Sequence, residues 1–370
     1  MPALSIAEVL ALSIAEVLAL SIAEVLALSI AEVKEITNVP TNPIRTSQIV
    51  TCPLCRIDHT VEMEAVACNL CGARDEELLF HRGDLYVGLP GEFRVVRCRR
   101  CGLIYVNPRP TVQAIDYYYP PRYEPYRHPD VEGARTPWGR WWRAFYLNKR
   151  CRAVSRYQSG GRILDVGCAT GAFLHQMRHW GDWERHGIEL VATAAQQAQE
   201  RYGLQVFAGT LEQAAYPDQF FDAVTMWDLL EHVHDPLGTL HQAARVLKPG
   251  GLLALSTVQS DALDARLFGR YWVGYEVPRH LYVFSRRTLS DMLAQSGFRI
   301  AGQKVLYGSN YAFSDSVRFA LQGHGAPRWL HGGVFGLLRS RPWRWLSAPA
   351  FKLLDLLQLT TPPTIFCRRT

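Results

Sequence analysis

The run Arg162-Ile163-Leu164-Asp165-Val166-Gly167-Cys168-Ala169-Thr170-Gly171 constrains this chain more than any other stretch. Ile163, Leu164 and Val166 with one acid among them read as a short buried strand. A glycine turn follows, and Ala172-Phe173-Leu174 opens a helical pattern. Strand, glycine turn and helix in that order form the nucleotide-binding unit of α/β sheets. Gly167 and Gly171 let the backbone turn tightly and approach a ligand with no side chain in between.

The spacing departs from the three-glycine fingerprint that brings a pyrophosphate to a helix N-terminus. Here the turn is Gly-Cys-Ala-Thr-Gly, with Asp165 close before it. A carboxylate at that place repels phosphate and attracts a cation. A ligand with an adenosine half and a cationic half suits it, and S-adenosylmethionine has both.

Further elements follow at matching intervals. His186-Gly187-Ile188-Glu189-Leu190 reads as a second strand ending in an acid. Glu189 stands about twenty residues past the glycine turn, where such sites place a carboxylate for ribose hydroxyls. A helix from Ala192 to Arg201 leads to a short strand, Leu204 to Phe207, and then to Thr210-Leu211. Phe220 to Trp227 is a fourth strand, running into Asp228-Leu229-Leu230-Glu231-His232-Val233-His234-Asp235-Pro236. Leu247-Lys248-Pro249-Gly250-Gly251 turns into a fifth strand, Leu252 to Ser256.

With these motifs in order, L-D-x-G-C-x-x-G, L-E-H-V-x-D-P and L-K-P-G-G, the stretch from about 160 to 300 resembles the class I S-adenosylmethionine-dependent methyltransferases. The resemblance implies a Rossmann-like seven-stranded α/β sheet whose last strand is antiparallel, bound S-adenosylmethionine, and methyl transfer. It places the methionine half of the cofactor at Asp165, Gly167, Cys168 and Gly171. It places the ribose at Glu189 and Leu190, the adenine near Thr210 and Leu211, and the cofactor's inner face along Trp227 and Asp228. Thr210 is a departure, since many relatives carry an acid there for the adenine amino group.

The rest of the chain is read around that domain, taken as residues 159–370. Leu-Ser-Ile-Ala-Glu-Val-Leu-Ala repeats without drift from Leu4 through Val33. Its period of eight rotates any apolar stripe about a helix and forms no coiled-coil seam. Glu8, Glu16, Glu24 and Glu32 interrupt every window long enough to span a bilayer. The n-region carries no positive charge, which argues against a secretory signal. Residues 1–50 read as a repeat and a polar linker (Glu35 to Val50) outside the fold. The net charge of +6 is mild for 370 residues and does not mark a nucleic-acid binder.

Nine cysteines with no secretory signal point to reduced thiols and metal, and to a cytoplasmic protein. Three C-x-x-C pairs occur, Cys52/Cys55, Cys68/Cys71 and Cys98/Cys101. Each hairpin aims two thiolates at one tetrahedral centre, and two hairpins close a structural zinc site. Cys68-Asn69-Leu70-Cys71-Gly72 and Cys98-Arg99-Arg100-Cys101-Gly102 match each other, so Cys68, Cys71, Cys98 and Cys101 are the expected Zn2+ ligands of a zinc ribbon over residues 51–110. Pairing Cys52/Cys55 with Cys68/Cys71 is the alternative. Met63-Glu64-Ala65-Val66-Ala67-Cys68 also looks like a natural N-terminus, with residues 1–62 an extension.

An aromatic, helical connector follows over residues 111–158, with Tyr117-Tyr118-Tyr119 and the run Trp138 to Tyr146. Candidate acid–base or acceptor-orienting groups are His232, just past the fourth strand, and His280, whose setting P-R-H-L-x-x-F-S resembles the substrate-facing stretch of relatives. Arg279 is a candidate partner for an anionic acceptor group. Ser285 caps a helix, Gly297 to Ile300 begins a sixth strand, and Thr364 to Arg368 is a seventh. Between them lies a helical insertion, about 308–361, rich in Trp, Leu, Phe and Arg. It reads as a cap over an apolar substrate, as a peripheral contact with the inner face of a membrane, or as a packed lid or dimer face.

The expected function is methyl transfer to a small-molecule or lipid-linked acceptor through oxygen, carbon or nitrogen. The alternatives are an RNA methyltransferase whose ribbon grips nucleic acid, and a non-catalytic S-adenosylmethionine-binding protein. Scattered basic residues and the apolar insertion weigh against nucleic acid. The sequence leaves oligomeric state open.

Overall fold

The computed structural model describes residues 45–51, 58–120, 137–306 and 309–370. The octapeptide repeat and Cys52/Cys55 lie outside the described residues. Strands β1 (Arg45–Thr51), β2 (Asp58–Glu64), β3 (Glu76–Gly83), β4 (Glu92–Cys98), β5 (Ile104–Val106) and β6 (Arg109–Pro110) come first. Helix α1 (Pro137–Tyr157) then leads to β7 (Gly160–Val166), α2 (Ala172–Met177), β8 (Asp182–Glu189), α3 (Ala192–Tyr202), β9 (Gln205–Ala208) and β10 (Phe221–Trp227). After these come α4 (Pro236–Val246), β11 (Leu247–Ser256), α5 (Leu263–Phe268), β12 (Tyr282–Val283), α6 (Arg286–Gln295) and β13 (Phe298–Val305). The chain closes with α7 (Ser309–Gly323), α8 (Arg328–Arg339), α9 (Arg341–Leu356) and β14 (Pro363–Arg369).

The large sheet has the order β13-β14-β11-β10-β7-β8-β9. β14 runs antiparallel to both its neighbours, while the ladders from β11 to β9 are parallel. This is the expected seven-stranded sheet with a reversed last strand. Ile163, Leu164, Ala223, Val224, Leu252 and Leu253 are wholly buried, as continuous apolar strands covered by helices on both faces must be. The chain leaves β7 toward β8 and β9, then crosses back to β10 on β7's other side. The strand order therefore reverses between β7 and β10, and the crevice beyond their carboxyl ends is where such sheets take ligands. α6 begins with the expected cap: the Ser285 hydroxyl accepts from the Thr288 N–H, and the Thr288 hydroxyl accepts from the Ser285 N–H.

One expectation about the N-terminal part is corrected. Glu35 to Val50 is not a linker throughout, because Arg45 to Thr51 pairs residue by residue with Thr51↔Asp58 through Arg45↔Glu64. Its residues are mostly polar and lack alternation, so ladder hydrogen bonds to β2 carry this strand. Met63 sits inside β2, only 1% exposed, opposite Thr46 and Pro110.

The cysteine-bearing module is joined to the rest of the chain: β12, from the loop after α5, completes its sheet in the order β12-β5-β4-β3. One buried apolar cluster runs from Val50, Phe93 and Tyr105 through Leu164 and Val224 to Leu289 and Ile365. Asn69, inside the first cysteine knuckle, donates to Asp235 Oδ1 (2.8 Å) and accepts from the Leu237 N–H (2.9 Å), so the knuckle docks on the start of α4. Arg109 donates to Glu64 Oε1, the His234 carbonyl and the Tyr282 hydroxyl.

The strongest tie is Arg279. Its guanidinium is 0% exposed and binds the Asp84 carboxylate with two nitrogens, at 2.6 and 3.1 Å. It also donates to Glu276 Oε1 (2.6 Å) and the Tyr118 carbonyl (3.0 Å). Asp84 in turn accepts from the N–H groups of Tyr86, Val87 and Leu89. Arg279 is therefore committed to structure, and the expectation that it meets an anionic acceptor is corrected: its donors already have partners and no solvent reaches it.

Replacing Arg279 with Met removes the ion pairs of Asp84 and Glu276 and leaves Arg82 as the cation facing two buried carboxylates. Loss of one partner of a buried pair costs about 3–5 kcal/mol. Urea unfolding of R279M is expected to show that loss; a change below about 1 kcal/mol, the range of surface pairs, contradicts the assignment.

Candidate active site

The glycine turn is built as its sequence requires. The N–H groups of Gly167 and Cys168 both donate to the Ile188 carbonyl, at 2.8 and 3.0 Å. Gly167 and Gly171 have φ near +77° and +78°. A Cβ at Gly171 would lie 2.5 Å from Leu204 Cδ1 and 2.9 Å from Ala198 Cβ, so only glycine lets α2 start against α3 and the strand entry behind it. Cys168 Sγ packs toward Gly187, where an added Cβ would meet it at 2.6 Å. Its side chain therefore belongs to the core.

Two carboxylates flank this turn. Asp165 is 2% exposed and accepts from the Thr225 hydroxyl at 2.6 Å. Burial pushes its carboxyl up to about 7, against the opposing effects of that hydrogen bond and of Arg150. Glu189, at the end of β8, accepts from the Ala169 N–H (2.8 Å) with one oxygen and from the Val191 N–H (2.9 Å) with the other. It thus joins the glycine turn to the start of α3. Leu190 beside it is exposed, at 67%.

Thr210 and Leu211 follow β9. The Thr210 N–H donates to Gln213 Oε1, and its hydroxyl accepts from the Gln213 N–H, closing a local turn. Leu211 is buried beneath it. At the end of β10, Trp227 and Asp228 come beside the turn. Asp228 has φ near +52° and is held by the Ser256 hydroxyl (2.7 Å) and by Arg150 Nη2 (2.9 Å). Arg150, from α1, also lies over the Trp227 ring at 4.7 Å. Trp227 Nε1 is buried with no partner among the described residues.

A second group begins four residues past the end of β10. Glu231 is 1% exposed, its Oε2 has no partner among the described residues, and burial beside Asp228 pushes its carboxyl up to about 8. The Glu231 carbonyl accepts from the N–H groups of Leu281 and Tyr282, which draws the His280 loop to this place. His280 Nδ1 donates to the Gly274 carbonyl at 2.8 Å, and His232 Nδ1 to the Arg279 carbonyl at 3.1 Å, with the Tyr119 hydroxyl 3.0 Å from that same nitrogen. A carbonyl only accepts, so each ring carries its proton on Nδ1 and keeps a lone pair on Nε2. Burial holds both imidazoles far below their ordinary range, at about 3 for His232 and about 4 for His280. The rings meet edge to face, 4.6 Å apart. The two histidines, 48 residues apart in sequence, are brought together as one group.

The four expected zinc ligands also converge: the sulfurs of Cys68, Cys71, Cys98 and Cys101 all lie within 4.8 Å of one another. Cys68 and Cys101 approach to 3.4 Å, Cys71 and Cys98 to 3.5 Å. The Gly72 and Gly102 N–H groups bond the Cys68 and Cys98 carbonyls in matching turns. This donor set fits a closed tetrahedral Zn2+ site.

Sequence reasoning missed Arg150 and Glu231, and it named Tyr119 only within the tyrosine run of the connector. Arg150 sits in that connector, where nothing local marks it. Glu231 stood inside the L-E-H-V motif, and its acid next to a candidate histidine was the available signal.

Comparison with known proteins agrees with this layout. The family model of the methyltransferase domain matches residues 139–303. A ubiquinone biosynthesis O-methyltransferase of Alkalilimnicola ehrlichii is 40% identical over 109 residues, covering 28% of this chain and 43% of that protein. The O-methyltransferase resE of Aspergillus sclerotiorum is 30% identical over 151 residues, covering 38% and 56%. The chain thus spans about half the length of these curated relatives. Among solved structures, an S-adenosylmethionine-dependent methyltransferase of Thermotoga maritima, possibly a histamine N-methyltransferase, aligns with 26% identity over 45% of this chain and 78% of that one, with a TM-score of 0.36. Sheet order, the glycine turn with its two carboxylates, and the family match agree: residues 139–303 carry a class I S-adenosylmethionine-dependent methyltransferase domain.

Proposed function

We propose that this chain transfers the methyl group of S-adenosylmethionine to a hydroxyl oxygen of a small-molecule acceptor. The observation that carries the reading is what stands at the switch between β7 and β10: Asp165, the glycine turn and Glu189 at the carboxyl ends of β7 and β8, and the group of Glu231, His232 and His280 just past the end of β10. The relatives' names, O-methyltransferases acting in ubiquinone biosynthesis and elsewhere, support oxygen as the methylated atom.

When bound, the cofactor supplies a methyl group already activated by a sulfonium, so the protein mainly has to align the acceptor. In this reading Asp165 faces the cationic half, Glu189 takes the ribose hydroxyls through its remaining lone pairs, and Trp227 and Asp228 wall the inner face. His232 and His280 stand on the acceptor side and position the acceptor oxygen. Cys68, Cys71, Cys98 and Cys101 hold a structural Zn2+, which keeps the knuckles folded against α4 and the β12 loop.

A lipid-linked acceptor is the second reading. It is favoured by the insertion, where Trp329, Trp345 and Leu346 are 76%, 74% and 79% exposed next to Arg328 and Arg344. Among the described residues no helix is long and apolar enough to cross a membrane. Contact there would be peripheral.

Incubating the protein with radiolabelled S-adenosylmethionine and separated cell fractions tests the function. Label is expected in small molecules or, for the second reading, in the lipid extract; label in RNA alone contradicts both. The Asp165 carboxyl adds a pH signature. A bound cation favours the ionised form, so below about 7 the carboxyl must release its proton as the cofactor binds. Affinity is expected to rise with pH up to about 7, by up to tenfold per pH unit, and to level off above. Calorimetry at pH 6 and pH 8 should show this in the wild type and not in Asp165→Asn; a pH-independent wild type removes Asp165 from the cofactor's cationic end.

A further inference from the structure

We propose that Glu231, His232 and His280 form a binding site for a divalent first-row transition-metal cation, distinct from the cysteine site. One ligand atom from each residue lies within 4.8 Å of the other two. The set is two imidazole nitrogens and one carboxylate, which suits such cations and leaves coordination positions free.

Three features beyond proximity support a built site. The Nδ1–H of each ring is tied to a backbone carbonyl, of Gly274 and of Arg279, which points the Nε2 lone pair away from that tie. Metal-binding histidines are oriented in this manner by their outer nitrogen. Glu231 Oε2 is buried with no well-formed hydrogen bond among the described residues, the Thr257 hydroxyl and the Val258 N–H being the neutral donors near the carboxyl, and such a group is costly to bury without a cation to answer it. The neighbouring cations do not answer it, because Arg279 and Arg82 face Asp84 and Glu276, two charges against two.

The site deepens the proposed function and rests on it for its role, though not for its existence. An acceptor hydroxyl entering an open position loses its proton to solvent more readily beside the cation. The oxygen's electron pair then forms the O–CH3 bond while the S–CH3 pair returns to sulfur. Neither carbon nor metal changes oxidation state.

The test is titration of the isolated full-length chain with Mn2+ alone, read by loss of the free-ion electron paramagnetic resonance signal. Mn2+ is a poor match for thiolates, so the cysteine site stays silent. One bound Mn2+ per chain is expected, with affinity lowered at least about tenfold in Glu231→Gln and His280→Gln. Zinc content and cofactor binding in each variant report whether it has folded. Should a variant fail to fold, Mn2+ added to histidine-labelled wild type is expected to broaden the resonances of His232 and His280 first among the twelve histidines. No binding by the wild type, or binding unchanged in folded variants, overturns the site. Bound Mn2+ with no methyl transfer to any fraction keeps the site and removes the function; transfer without Mn2+ binding does the reverse.

Discussion

The bidentate pair between Arg279 and Asp84 is the interaction on which the arrangement depends. Asp84 belongs to the cysteine-bearing module, Arg279 to the loop before α6, and they are 195 residues apart. The same guanidinium holds Glu276 and the Tyr118 carbonyl, so one buried cation gathers the module, the connector and the loop. Its desolvation is offset only because the donors meet oxygens in good geometry. The carbonyl of Arg279 then accepts a hydrogen bond from His232 Nδ1, and the next residue is His280. Positioning of the His232–His280 pair is thus a direct consequence of the clamp.

Around it, two other contacts share the load. β12 adds a strand to the module's sheet, and Asn69 seats the first knuckle on α4. The helix so held begins at Asp235 and Pro236, directly after the L-E-H-V motif. Any cation held by the four cysteines therefore acts at a distance, by keeping the wall of the crevice in place.

The sheet was legible in the sequence because its strands are buried runs bounded by glycine turns, a signal carried within a few residues. The cysteine pairing was legible from two matched knuckles, and the reversed last strand from the resemblance. What escaped was long-range. Arg279 next to His280 reads as a binding residue until Asp84, at the other end of the fold, is seen to take its charge. Arg45 to Thr51 has no apolar alternation to announce a strand, and only pairing with β2 makes it one. Glu231 was in view within its motif, but nothing local says that its second oxygen is left without a partner.

Joining of the module to the sheet is the central claim, and native-state hydrogen exchange measures it directly. The amides of Val95 and Val96 in β4 and of Thr225 and Met226 in β10 belong to the two halves of the shared core. If the clamp makes them one cooperative unit, they exchange with the same opening free energy in the wild type, and both lose protection together in Arg279→Lys. Exchange of β4 through a separate opening of lower free energy, with β10 untouched, would mean that the module is merely attached and that the clamp does not organise the site.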